Sequence, residues 1–263
     1  MINFMKFSLI LFLSLFVLGI DSAFADTVFT TQSPILDVLT FDGKWYPPYE
    51  WKQSTEQVIT YPDGTQLAIR IAHDYQNLYF LIDFISDNKI DKGADRATIC
   101  LDVKNDKAKF ANDDDFCFMI ALFGKSVIVL QGGSPLHFTS NFYSISKTEG
   151  VIGVGGISAN DNRYTRLPHS SYEFSVPIDL VGRTDIYGFY VGVYEASSKT
   201  VYSWPQQITL DRQNQIPSPS QWGELVSPDK SIPEFGFPFL ALIPSLILIL
   251  VITRIKNGVN LKV

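Results

Sequence analysis

The chain has 263 residues, 46% hydrophobic and 18% charged, with 27 acidic side chains against 21 basic ones and a formal net charge of −6. That acidic balance speaks against nucleic acid as a partner, because phosphate contacts are made by cations. The length suits one sizeable core or two small ones between end segments of different composition.

The first 26 residues read MINFMKFSLILFLSLFVLGIDSAFAD. One cation, Lys6, precedes an apolar stretch from Phe7 to Ile20, and Ala23-Phe24-Ala25 follows. Charge, apolar core and A-x-A site in that order predict a secretory signal peptide over residues 1–25, cut between Ala25 and Asp26. An uncleaved anchor is the alternative. The exported part, residues 26–232, holds 25 acidic and 17 basic side chains, a net charge of −8. It contains no N-x-S/T acceptor for glycans.

The middle of the chain reads as short strands. LAIRIAHD (67–74) and NLYFLIDF (77–84) are separated by a turn at Asp74–Asn77. RATICLDV, DFCFMIAL, SVIVLQ, VIGVGGI, YEFSVPI and IYGFYVGVYEA follow, with Gly, Asn, Asp or Pro clusters between them. No helical period of useful length appears outside the two end runs. Many short strands with turn-rich spacing predict an all-β sandwich or barrel. Alternation puts Ile99, Leu101 and Val103 on one face of their strand and Thr98, Cys100 and Asp102 on the other. Phe116, Phe118 and Ile120 oppose Cys117 and Met119 in the same way. The sandwich is expected over 26–213, with a closing segment to 226 at most. A Pro/Ser-rich stalk is expected over 214–232.

The C-terminal run from Phe237 to Thr253 has 17 uncharged residues, the low end of what a helix needs to cross hydrocarbon. Pro238 and Pro244 within it are tolerated in a membrane helix. Arg254, Lys256 and Lys262 follow with no acid after Glu234, which marks the cytoplasmic side. The expected topology is an extracellular domain, contact with membrane lipid through this helix, and a cytoplasmic tail. The tetrad Pro233-Glu234-Phe235-Gly236, the span and the basic tail together resemble the PEFG-CTERM sorting signal of archaeal surface proteins, over the last 30 residues or so. The resemblance implies a membrane sorting protease that removes the tail, so residues 233–263 are either a permanent anchor or a discarded tag.

A second resemblance runs through residues 36–226. FDGKWYPPYEW is similar to the opening of family 9 carbohydrate-binding modules and DOMON-like domains. IAHDYQNLYFLIDF resembles their hairpin, DRATICLDVKND…NDDDF their next strand pair, and YGFYVGVYEA…WPQ…PSQWGEL their closing strands. It implies a single jelly-roll-like antiparallel β-sandwich that binds sugars; some related domains bind haem. Family 9 members also carry structural calcium, and sugar-binding members clamp a ring between two tryptophans, a pair with no assignable positions here.

Candidate sites follow from residue chemistry. Trp45, Tyr46, Tyr49 and Trp51 cluster within seven residues, with Trp204 and Trp222 in the closing segment. Exposed rings of this kind stack on sugars, and buried ones close a core. Asp102, Asp106, Asp113, Asp114 and Asp115 supply hard oxygens that suit Ca²⁺, or else form a solvated loop; the spacing is not that of an EF-hand. Met119 with His73, His137 or His169 is the only His/Met set for haem iron, and no C-x-x-C-H is present. Cys100 and Cys117, on consecutive strands in an exported domain, predict a disulfide, with two buried free thiols as the alternative. No G-x-S-x-G, H-E-x-x-H or P-loop occurs. The expectation is a non-enzymatic surface protein that binds carbohydrate. The rival roles are haem-based electron transfer and surface-layer structure.

Overall fold

The computed structural model describes residues 26–33, 39–45, 50–134, 141–146, 149–159, 163–206 and 216–228. These build two facing sheets. The eight-stranded sheet contains β1 (Thr27–Phe29), β5 (Arg96–Asp102), β6 (Asp115–Ala121), β7 (Ile128–Gln131), β8 (Tyr143–Ser144), β11 (Ile186–Glu195), β12 (Thr200–Trp204) and β13 (Gly223–Val226). Its order is β1-β13-β11-β5-β6-β7-β8, with β12 also paired to β11. The five-stranded sheet contains β2 (Thr55–Thr60), β3 (Gln66–His73), β4 (Asn77–Asp83), β9 (Ile152–Ser158) and β10 (His169–Pro177), in the order β2-β3-β4-β10-β9. One short helix, α1 (Ile178–Val181), and a 3-10 turn at Pro219–Gln221 are the helical pieces among the described residues. The β1–β13 strand pair is parallel; the other strand pairs are antiparallel.

The alternation expected from the sequence produces the core. Ile99 and Leu101 of β5, Phe116, Phe118 and Ile120 of β6, and Phe189, Val191 and Val193 of β11 line the inner face of the long sheet. Ile69 and Ile71 of β3, Phe80 and Ile82 of β4, and Tyr172 and Phe174 of β10 oppose them. Phe80 and Phe189 stack across the gap with ring centroids 5.5 Å apart. Each such side chain contributes roughly 1.5–3 kcal/mol by leaving water, and truncating Phe118 to Ala would cost about 3–5 kcal/mol.

The strands are turned by specific chemistry. In the β3–β4 hairpin, one Asp74 carboxylate oxygen accepts from the backbone N–H of Gln76 (2.7 Å) and Asn77 (2.6 Å), an Asx turn. At Gly156 a Cβ would sit 2.7 Å from the Gly43 carbonyl oxygen, so only a glycine lets the 42–43 loop cross β9.

Both outer faces are partly covered. Trp45, Trp51, Tyr79 and Leu81 form a second apolar cluster on the short sheet. Cys100, Cys117, Ala111, Phe142, Tyr190 and Trp222 form a third on the long sheet. The third cluster corrects the expected stalk boundary. Residues 216–228 pack on the domain, and β13 lies between β1 and β11 with Leu225 fully buried. The strand falls inside the closing segment to 226 that the sequence allowed beside the stalk. No helix among the described residues is long and apolar enough to cross a membrane. The signal segment 1–25, the Pro233–Gly236 motif and the apolar run 237–253 lie outside the described residues.

Candidate functional site

A depression of about 240 Å³ opens at one end of the sandwich. Two elements meet there: the segment after β4, which carries Phe84, Ser86, Asp87, Asn88 and Lys89, and the β11–β12 turn region with Glu195, Ser197 and Tyr202. Tyr202 is partly exposed and firmly placed. Tyr61 meets its ring edge-on at 5.0 Å, Phe84 lies at 5.1 Å, and its hydroxyl donates to Asp63 at 2.9 Å.

The polar groups of this pocket are held in fixed roles. Asp87 accepts from the Ser170 hydroxyl (2.7 Å) and from the Lys89 N–H (3.1 Å). Burial nonetheless pushes its carboxyl up to about 6. For Glu195, burial acts in the same direction, but hydrogen bonds from Ser197 and Ser198 outweigh it and hold the carboxyl below its ordinary value. Asn88 and Lys89 are exposed, and the Lys89 ammonium has no acceptor among the described residues. The result is an aromatic ring surrounded by hydroxyls, an amide, a cation and carboxylates. A polyhydroxylated ligand needs this mixture of donors and acceptors beside an apolar surface.

The sequence had pointed to the tryptophans instead. Trp45, Trp51, Trp204 and Trp222 are 4%, 2%, 6% and 3% exposed, so none offers an open ring face. Trp45 lies under the Arg70 guanidinium at 4.7 Å. The Trp51 indole donates to Glu173 at 2.9 Å. Trp204 packs on Phe189 in the main core, and the Trp222 indole donates to the Pro217 carbonyl at 3.1 Å. Their surface is worth more inside a sandwich of this size than outside it. Tyr46 and Tyr49 lie outside the described residues.

The carboxylates of Asp102, Asp114 and Asp115 converge, with oxygens within 4.8 Å of one another. Register explains this: Asp102 faces Asp115 across the β5–β6 pair, at the end joined by the 103–114 loop. Asp113 is not among them; it points outward at 84% exposure. Asp106 is turned to the Ala108 N–H and the Asn112 amide. Asp115 is fully buried, and its Oδ1 has no hydrogen-bond partner; the Asn105 Oδ1 beside this loop is buried and also without one. Burial pushes the Asp115 carboxyl up to about 7 and raises Asp102 as well. Orphaned buried oxygens among three carboxylates are what a hard cation satisfies. The Lys104 ammonium, 2.9 Å from Asp114, partly neutralises the group from outside.

Two further pairs are resolved. Cys100 and Cys117 are bonded, with Sγ–Sγ 2.04 Å, as partners in the β5–β6 register. His73 and His169 have both ring nitrogens engaged, His73 with Asp74 and Ser227, and His169 with Leu167 and Asp83. Met119 lies on the outer face of the long sheet, away from either ring's strand. The described residues therefore supply no His/Met pair for haem; His137 lies outside them.

The fold has counterparts among solved structures. A carbohydrate-binding module of family 9 from Caldicellulosiruptor kristjanssonii, in complex with cellotriose, superposes with a TM-score of 0.51 at 15% identity, covering 77% of this chain and 93% of that one. A family 9 module from the same organism in complex with glucose gives 0.45 at 14% identity, covering 77% and 95%. At such identities the likeness is one of fold: a family-9-like β-sandwich. No protein-family model matches the chain, and no curated protein does.

Proposed function

We propose that this chain is an exported cell-surface protein that recognises carbohydrate in the end pocket, without catalysing a reaction. The observation that carries the reading is the Tyr202 ring, fixed on three sides and flanked by Ser86, Asn88, Lys89 and Ser197. The fold shared with a family 9 module bound to cellotriose supports it. In this reading the Tyr202 face takes the apolar side of a sugar ring, while the amide, ammonium and hydroxyl groups meet its hydroxyls. The acidic exterior and the apolar end segments fit display outside a membrane, as a permanent anchor or after removal of the tail by a sorting protease.

The loop of Asp102, Asp114 and Asp115 is proposed to hold Ca²⁺, with the Asn105 amide oxygen as a further ligand. A bound ion would supply positive charge that ties β5 to β6; it has no part in sugar chemistry. Haem finds no axial pair among the described residues, so we do not extend the reading to electron transfer.

The direct test is calorimetric titration of the purified full chain, in a detergent without a sugar headgroup, with cello-oligosaccharides and a panel of neutral glycans. Binding that weakens about tenfold or more in Tyr202→Ala or Asn88→Ala is the expected result, since each removes ring surface or paired polar groups. No binding to any glycan, or binding indifferent to both substitutions, would remove the reading.

A further inference from the structure

A second group of acids stands in the wall of the end pocket. Carboxylate oxygens of Asp91, Asp95 and Glu195 lie within 4.8 Å of one another. Asp91 and Asp95 flank the turn that leads into β5, and Glu195 ends β11 and lines the pocket together with Ser197. Register brings them to one place. Arg96 faces Tyr194 across the antiparallel β5–β11 pair, so Asp95 and Glu195 come opposite each other one step beyond.

No described cation neutralises this group. Asp95 is 1% exposed and Glu195 8%. The ion pairs among the described residues involve other acids. The cations nearest in sequence are turned to rings: the Lys92 ammonium lies 5.5 Å over Phe123, and the Arg96 guanidinium 4.6 Å over Tyr194. Backbone N–H groups of Asp91 and Ala196 donate to Asp95, and those of Ser197 and Ser198 to Glu195. These bonds fix the carboxylates and leave each oxygen lone pairs to spare. Burial raises the Asp95 carboxyl, and the charges of Asp91 and Glu195 add to the rise.

Two polar atoms at this place are buried without a hydrogen-bond partner. One is Asp91 Oδ2, shut off from solvent although the residue itself is partly exposed. The other is the Tyr172 hydroxyl, on a side chain with no exposure. It comes from β10 on the short sheet, and its polar surroundings are Ser170 and the carboxylates of Asp95 and Asp87. A buried oxygen left unmatched is costly, so two of them beside three unneutralised carboxylates point to a missing positive ligand.

We infer that Asp91, Asp95 and Glu195 bind a divalent cation of the calcium class in the wall of the end pocket. Oxygens no farther apart than these can all lie about 2.3–2.6 Å from a single ion, the range of Ca²⁺ contacts. The ion gives Asp91 Oδ2 its partner, and its remaining positions take water, which can donate to the Tyr172 hydroxyl oxygen. This site is distinct from the Asp102, Asp114 and Asp115 loop, which lies at the opposite end of β5. It does not depend on the carbohydrate reading.

The experiment is calorimetric titration of the purified full chain with CaCl₂ at pH 8, in the Asp115→Asn protein, which takes the β5–β6 loop out of account. About one equivalent of Ca²⁺ is expected to bind there, and millimolar Ca²⁺ should raise that protein's melting temperature above its value in chelator. Adding Asp91→Asn should weaken binding about tenfold or more, since one charged ligand is lost. Its melting temperature in chelator should stay the same or rise, because a like-charge contact is relieved. Glu195→Gln should weaken binding in the same way, and Asp113→Asn should not. If Asp115→Asn binds no calcium at pH 8, a proton and not an ion relieves the cluster, and the inference falls. It falls equally if Asp91→Asn and Glu195→Gln bind calcium as their parent does.

Discussion

The His169 Nε2 lies 2.8 Å from an Asp83 carboxylate oxygen, and its Nδ1 lies 2.7 Å from the Leu167 carbonyl oxygen, in a ring with no exposure. The Leu167 carbonyl can only accept, and a carboxylate at Asp83 likewise, so the doubly protonated ring is the form that satisfies both contacts. Burial works against that charge, but the Asp83 hydrogen bond and charge and the Leu167 carbonyl outweigh it and raise the ring above its ordinary value of 6.5. A raised folded value means stability that is complete below about pH 6.5 and lost as pH climbs through the folded value. Asp87, pushed up to about 6 by burial, acts with the same sign at lower pH, its contribution being lost mainly between its ordinary value and about 6. The melting temperature should therefore fall from pH 6 to pH 9 in chelator. The fall should be shallower in His169→Gln, as measured by calorimetry at a series of pH values. Parallel slopes for the two proteins would refute the imidazolium assignment.

Calcium should act through the same linkage on the long sheet. With the Asp115 carboxyl pushed up to about 7 by burial, protons compete with any cation below that value. Millimolar Ca²⁺ should raise the melting temperature at pH 8 and have little effect at pH 5. In an Asp91→Asn background Asp115→Asn should abolish the response, and Asp113→Asn, which alters an outward side chain, should not. Equal melts with calcium and with chelator at pH 8 would return the loop to a salt-bridged turn.

The Cys100–Cys117 bond closes a loop of sequence separation 17. In the chain-entropy account such a loop contributes about 3 kcal/mol by restricting the unfolded chain. Cys100→Ala/Cys117→Ala should lower stability by about that amount in urea titrations. Both thiols should resist alkylation until a reductant is added.

Arg70 is 2% exposed and lies between Trp45 and Tyr164, with ring distances of 4.7 and 5.9 Å. Its guanidinium donates to the Trp51 carbonyl and the Tyr164 hydroxyl, each at 3.1 Å, and pairs with Glu56 at 3.0 Å. An ammonium cannot stack and fork in this way. Arg70→Lys should cost about 2–4 kcal/mol and expose Trp45, readable as a red shift in tryptophan emission. A loss under 1 kcal/mol would show that the stack contributes little.

Much of the fold was legible in the sequence because large apolar side chains recur with period two along the strands, even though the outer-face positions between them are covered as well. β3 through β6, β10 and β11 carry that signal, and Cys100 and Cys117 lie on the face it assigns to them. β2 was not legible: in TEQVIT only Ile59 is buried, since an edge strand turns most of its side chains to water. β13 lies in the closing segment that the PSQWGEL resemblance marked, although the prolines around it also suggested a stalk. The end pocket left almost no trace. Ser86, Asp87, Asn88 and Lys89 look like any turn, and their meaning arises only when the β11–β12 turn region lands beside them. For the tryptophans the sequence left both readings open, because residue type signals surface to be buried as well as surface to be offered, and the structure takes the buried one. Among the acids, Asp102 and Asp115 converge because of strand register, which spacing alone could not rank above Asp106 or Asp113.

The place of β13 has a mechanical consequence. It is hydrogen-bonded along both sides, parallel to β1 and antiparallel to β11, through Gly223–Val226. Tension applied at residue 228 runs along this strand. The ladders on both flanks then carry the load together in shear and do not open one bond at a time.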